Sequence, residues 1–127
     1  MRPPLTHLAL AVRDQHVARR FYETYFGFDQ SGQRYPDGVL MLRNRDGFSL
    51  ALGPADDQPV EMPRFFHFGF RAESPADVQE MRDRLARNDV EIVEEWNEEH
   101  YVSVKCRDPD GYVVEYAWEI PQPDPDA

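Results

Sequence analysis

The chain has 127 residues, 41% hydrophobic and 30% charged, with 24 acidic against 14 basic side chains and a formal net charge of -10. That length suits one domain with a sizeable core, and the composition is globular, neither disordered nor fibrous. The acidic balance and the lack of a basic stripe exclude a nucleic-acid surface and disfavour anionic membranes, while a lone Cys106 excludes an intrachain disulfide and a zinc-thiolate cluster.

The first element is an apolar run of strand character over residues 5–12. No apolar stretch of signal-peptide or membrane-spanning length accompanies it, so a soluble cytoplasmic protein is expected. Asp14 then stands as the N-cap of a helix on which Val17, Phe21 and Tyr25 recur at helical spacing, and Gly27 stops it. Three short strands are predicted over 28–35, 39–43 and 48–52, parted by Asp37-Gly38 and Asp46-Gly47 turns.

The second half repeats this order. A strand is predicted over 65–72, then Ser74 as N-cap with Pro75 at the first helical position. Val78, Met81 and Leu85 mark one face of a helix ending near Asn88, and strands follow over 90–96, 101–107 and 112–118. Asp108-Pro109-Asp110-Gly111 makes the last turn. Each half is therefore β-α-β-β-β: one module over 5–53, a proline-rich linker over 54–64, a second module over 65–120, and a tail over 121–127 expected to fray. The predicted fold class is α+β, two βαβββ modules whose curved mixed sheets close into an open barrel with the helices outside.

Strand side chains alternate faces, so each strand can be sorted. Leu8, Leu10 and Val12 form a bulky face opposite His7, Ala9 and Ala11. Phe66, Phe68 and Phe70 oppose Phe65, His67, Gly69 and Arg71; Val114, Tyr116 and Trp118 oppose Val113, Glu115 and Ala117. Val102, Val104 and Cys106 oppose Tyr101, Ser103 and Lys105. One face is consistently apolar and large, the other small or polar, and His7, His67 and Glu115 all fall on the second.

His7 and His67 occupy matching positions in the two repeats. Either imidazole alone reads as a hydrogen-bonded core residue. Glu115, in the middle of the apolar run Val113-Val114-Glu115-Tyr116, would be costly to bury without a partner, and a cation supplies one. Two imidazoles and one carboxylate suit a divalent ion, Fe(II), Mn(II), Zn(II), Ni(II) or Co(II), with positions left open for a small-molecule substrate. Tyr101, Lys105 and His100 are the candidate catalytic groups beside them, His100 at the start of a strand near a rim and Tyr101 and Lys105 on the polar face. His16 reads as a solvated residue of the first helical turn.

These stretches carry a resemblance. His7-Leu8-Ala9-Leu10-Ala11-Val12-Arg13-Asp14, Phe21-Tyr22 with Phe26-Gly27-Phe28, and Asp108-Pro109-Asp110-Gly111-Tyr112 followed by Glu115 resemble the vicinal oxygen chelate superfamily of glyoxalases, bleomycin resistance proteins and extradiol dioxygenases. The resemblance spans nearly the whole chain before the tail. It implies metal ligands at His7, His67 and Glu115, a substrate chelated through neighbouring oxygens, and a homodimer in which modules can pair between chains.

Glyoxalase I and the epimerase of that superfamily have a fourth ligand where this chain has Ala51, so the resemblance favours the dioxygenase-like and transferase-like branches. Those branches commonly have tyrosine where this chain has Lys105, an ammonium able to hold an anionic substrate group. The resulting expectation is a metal-dependent dioxygenase or lyase/transferase. The alternative from another class is a non-catalytic protein that sequesters a drug.

Overall fold

The computed structural model describes residues 2–55 and 61–126. The chain forms two compact units, Met1–Met62 and Pro63–Ala127. The expected linker over 54–64 falls partly outside the described residues.

In the first unit, β1 (His7–Val12) leads to α1 (Gln15–Phe26) and then to β2 (Gln30–Arg34), β3 (Leu40–Arg43) and β4 (Ser49–Pro54). The sheet order is β1-β4-β3-β2, with β1 parallel to β4 and the other pairs antiparallel. The second unit repeats it: β5 (Phe68–Arg71), α2 (Pro75–Arg87), β6 (Ile92–Asn97), β7 (Tyr101–Arg107) and β8 (Val113–Glu119), in the order β5-β8-β7-β6. Even the irregularities match. The outer pair of each sheet carries a register shift, at Gln30–Gln33 in one and Ile92–Glu94 in the other. The α+β class and the two βαβββ modules thus stand as expected.

The helix ends follow from the capping residues. Asp14 adopts extended backbone and its carboxylate accepts from the amides of His16 and Val17, satisfying donors that the first turn leaves orphaned. Gly27, at φ 71, takes the left-handed cap that stops α1. Ser74 Oγ accepts from the Asp77 amide at 3.1 Å, Pro75 opens α2, and Arg84 and Arg87 sit in its last turn, where the helix dipole favours cations.

The cores form where the helices cover the bulky sheet faces. Val12, Leu42, Leu50 and Leu52 are fully buried in the first unit; Val78, Leu85, Val104 and Val114 in the second. The inward stripe of α1 differs from the predicted one. Ala18, Phe21, Tyr22 and Phe26 are buried, while Val17 is 43% exposed. Tyr22 meets Phe28 edge-on at 6.1 Å and Phe26 at 6.1 Å, so aromatic packing rotates the helix toward Tyr22.

The fifth strand is also shorter than predicted. It begins at Phe68, because Phe65 has a positive φ of 74 and the Phe66 amide bonds back to the Pro63 carbonyl at 3.1 Å. This turn leaves Phe66 43% exposed, and His67 immediately precedes the strand.

Candidate metal centre

Glu115 lies in mid-strand on β8, opposite Gly69 of β5 on one side and Lys105 of β7 on the other. The glycine is required by close approach: a Cβ at residue 69 would stand 3.0 Å from the Glu115 carbonyl oxygen and 3.1 Å from its Cβ. The strand that follows His67 therefore runs hard against the strand carrying the carboxylate.

Each oxygen of that carboxylate has its own neighbours. Oε2 accepts from the Tyr101 hydroxyl in a short hydrogen bond and from Ser103 Oγ at 2.5 Å. Oε1 faces His67 Nε2 at 3.6 Å. The Glu115 side chain is 14% exposed and the His67 side chain 23%. Burial, and then the bond to Glu115, push the Tyr101 phenol above its ordinary pKa, so it stays protonated and donates.

His67 is oriented from behind. Its Nδ1 lies 2.9 Å from the Phe65 carbonyl, and a carbonyl only accepts, so Nδ1 carries a proton and Nε2 is the nitrogen that faces Glu115. The positive φ of Phe65 aims that carbonyl, and its ring stands edge-on to the imidazole at 5.2 Å. Two donors each about 2.1 Å from one ion are separated by roughly 3.0–3.4 Å at octahedral to tetrahedral angles. The 3.6 Å between His67 Nε2 and Glu115 Oε1 fits a shared divalent ion after a small closing movement. A ligand imidazole held by a carbonyl and a ligand carboxylate held by hydroxyls is the outer shell such sites use.

The other predicted site residues are placed as follows. Lys105 is directed at Glu94 Oε1, 2.7 Å away, with Nζ 5.8 Å from the centre of the Phe65 ring, and its side chain is 13% exposed. Its charge is committed within the face instead of standing free. Glu94 also accepts from Trp96 Nε1 at 2.6 Å; these two bonds lower its pKa, Lys105 first. His100 sits at the β6–β7 hairpin, half exposed and 3.9 Å from Glu99. His7 opens β1 in the first unit, with Nδ1 3.0 Å from Thr6 Oγ1. Among the described residues no three His, Cys, Asp or Glu side chains gather at metal-binding spacing, so the pair the fold assembles is His67 with Glu115.

Two functional features escaped the sequence. Glu94 faces this site because the register shift between Ile92 and Glu94 resets which side chains of β6 point to it. Phe65 gives no local signal, since phenylalanine does not favour a positive φ. Beside Glu115, a groove of about 370 Å³ runs over Gly69 and Ala117 to Arg71, Glu119 and Pro121.

The registers also compare Ala51 with Glu115. Two residues past His7, Ala9 pairs with Ala51; two residues past His67, Gly69 pairs with Glu115. The two positions are structurally equivalent, and the first offers no ligand.

Residues 5–116 match the Glyoxalase/Bleomycin resistance protein/Dioxygenase superfamily. The chain belongs to that superfamily. It is 30% identical to the uncharacterised protein PA2024 of Pseudomonas aeruginosa over 95% of this chain and 92% of that one. A possible glyoxalase from Bacillus cereus has the same fold, with a TM-score of 0.74 at 28% identity, covering 89% of this chain and 96% of that one. The fosfomycin resistance protein FosX of Listeria monocytogenes shares the fold at 20% identity, with a TM-score of 0.76 over 94% and 96% of the two chains. This superfamily membership agrees with the resemblance in the sequence. Among the described residues no helix is long and apolar enough to cross a membrane.

Proposed function

We propose that this member of the superfamily is a divalent-metal-dependent enzyme in which His7, His67 and Glu115 hold one ion and a small oxygenated substrate chelates it through neighbouring oxygens. The observation that carries the reading is the orientation of His67, with Nδ1 locked on the Phe65 carbonyl and Nε2 offered toward a carboxylate oxygen 3.6 Å away. A point mutant of FosX, a neighbour in fold, has been solved with Mn(II) and a dihydroxypropylphosphonic acid, which recommends Mn(II) as the first ion to test.

When bound, the ion supplies Lewis-acid stabilisation of negative charge developing on the substrate oxygens. The protein groups have separate tasks. Tyr101 and Ser103 hold Glu115 Oε2, which would leave Oε1 to hold the ion. Tyr101, kept protonated, can also share its proton with a substrate oxygen arriving beside Glu115. Lys105, paired with Glu94, keeps a cation one strand from the carboxylate. Ala51 leaves the fourth ligand position to solvent or substrate, which supports dioxygenase-like or lyase/transferase-like chemistry over that of glyoxalase I.

Elemental analysis after Mn(II) loading and dialysis tests the reading. Wild type is expected to hold stoichiometric metal, and His7→Ala, His67→Ala and Glu115→Ala to lose it. Mixing His7→Ala with Glu115→Ala chains restores metal only if a homodimer shares the site between copies. Absence of bound metal in wild type under any divalent loading overturns the enzyme reading in favour of a drug-sequestering protein.

A further inference from the structure

The groove beside Glu115 has a composition the metal pair does not account for. Its floor is Gly69 and Ala117, the two smallest residues available, so the sheet surface there is open to a ligand. At its end stands Arg71, on the same face of β5 as Gly69, exposed and with no hydrogen bond or ion pair among the described residues. Arg71 pairs with Ala117 in the sheet register, two residues beyond the Gly69–Glu115 row. At about 3.3 Å per residue the guanidinium is anchored roughly 7 Å along the strand from the carboxylate. Arg82, with Glu95 and Asp83, and Arg107, with Glu91, are by contrast engaged. A guanidinium left unpaired in a groove that ends at a metal ligand is a fork for an oxyanion.

Resting on the metal reading above, we propose that Arg71 binds a carboxylate at the distal end of the substrate, so that the substrate class is a short acid carrying vicinal oxygens at one end and an anionic group at the other. Glu119 sets the length. It lies one alternation further along the same face of β8, beside Pro121, and repels an anion that extends past Arg71. The groove thus selects an acid of one spacer length.

A matched pair of probes tests this by calorimetry on Mn(II)-loaded protein. 2-Hydroxyglutarate offers a hydroxyl and a carboxylate to the ion and a second carboxylate beyond two methylenes; 2-hydroxypentanoate ends in a methyl group instead. Wild type is expected to bind 2-hydroxyglutarate about tenfold or more tighter, the usual scale of a charge-assisted hydrogen bond. In Arg71→Gln that ratio is expected to fall to near one, with Mn(II) affinity and 2-hydroxypentanoate affinity unchanged. Arg71→Lys, which keeps the charge and loses the fork, is expected to lie between. Glu119→Gln is expected to tighten 2-hydroxyglutarate a few-fold. Equal affinities in wild type, a ratio that survives in Arg71→Gln, or Mn(II) binding without affinity for either acid overturns the subsite and leaves the metal reading standing. Failure to bind Mn(II) overturns the metal reading, and the subsite falls with it.

Discussion

The two units share one backbone plan and differ in the chemistry laid on it. Where β8 carries Glu115, β4 carries Ala51; where β7 carries Lys105, β3 carries Met41. Ala11 of β1 stands where β5 has Arg71, and Leu42 in the first core stands where the second has Cys106. His7 and His67 are the exception, one imidazole at the head of each repeat. The lesson is that the repeat supplies matching positions, while the carboxylate, its hydroxyl partners and the cations are all on the second copy. A sheet face can be rebuilt residue by residue because alternation keeps the buried face untouched.

The largest expected difference between the copies lies in their last turns. Asp108 is 5% exposed and its Oδ1 accepts from the amides of Asp110 and Tyr112; Asn44 plays the same part toward Asp46 and Phe48 in a more exposed turn. Asp108→Ala strips charge-assisted bonds from a buried turn and is expected to cost about 2–3 kcal/mol, against about 1 kcal/mol for Asn44→Ala. Urea unfolding of both variants checks this. Equal costs would show that the two turns are energetically alike despite their different burial.

Next come the hydroxyls, which the first copy lacks. Tyr101→Phe and Ser103→Ala each free Glu115 Oε2 from one donor, and each is expected to weaken Mn(II) binding about tenfold with little change in fold. Met41→Ala, at the Lys105 position of the other copy, is expected to leave Mn(II) affinity where it was. Competition against a fluorescent chelator measures all three.

Much of this contrast was legible in the sequence. The caps Asp14 and Ser74, the stop at Gly27 and the Asp108–Gly111 turn are local devices, so their residues announce them. Alternation on β7 and β8 puts Tyr101, Ser103 and Glu115 on one face, where hydrogen bonds join them. Non-local geometry was not legible. The register shift in β6 that brings Glu94 to Lys105 depends on how β6 meets β7, and the rotation of α1 toward Tyr22 depends on ring packing. Nothing in Pro63-Arg64-Phe65-Phe66 announces that a phenylalanine will turn left-handed and shorten β5.

Cys106 gives a smaller, pH-dependent contrast with Leu42. Burial, reinforced by Asp108, pushes its thiol from 9.0 up to about 12. The unfolded chain releases this proton near its ordinary value, while the folded chain keeps it. The thiol's share of stability is therefore present below about pH 9 and is lost as pH rises toward 12. By pH 10 the loss is expected to be about 1 kcal/mol in wild type and absent in Cys106→Val. The same burial predicts no alkylation of the native thiol at pH 8 and full alkylation in denaturant. A native thiol that reacts quickly would mean that the second core opens more readily than the first, where Leu42 is sealed.

The smallest effect bears on whether strain serves the site. Phe65 holds φ 74, a region that costs a side-chain-bearing residue about 1 kcal/mol, and its ring is 84% exposed, so little burial offsets that cost. Phe65→Gly relieves the steric penalty but adds freedom to the unfolded chain, and the two nearly cancel to a net change within about 0.5 kcal/mol. Function is expected to move more than stability. Without the ring against His67 and Lys105, the imidazole is less well held, and Mn(II) affinity is expected to fall a few-fold at unchanged melting temperature. Phe65→Leu keeps bulk but not the edge-on ring, and should separate strain from packing. If Phe65→Gly binds Mn(II) as wild type does, the positive φ belongs to the turn that starts β5, and the orientation of His67 rests on the backbone alone.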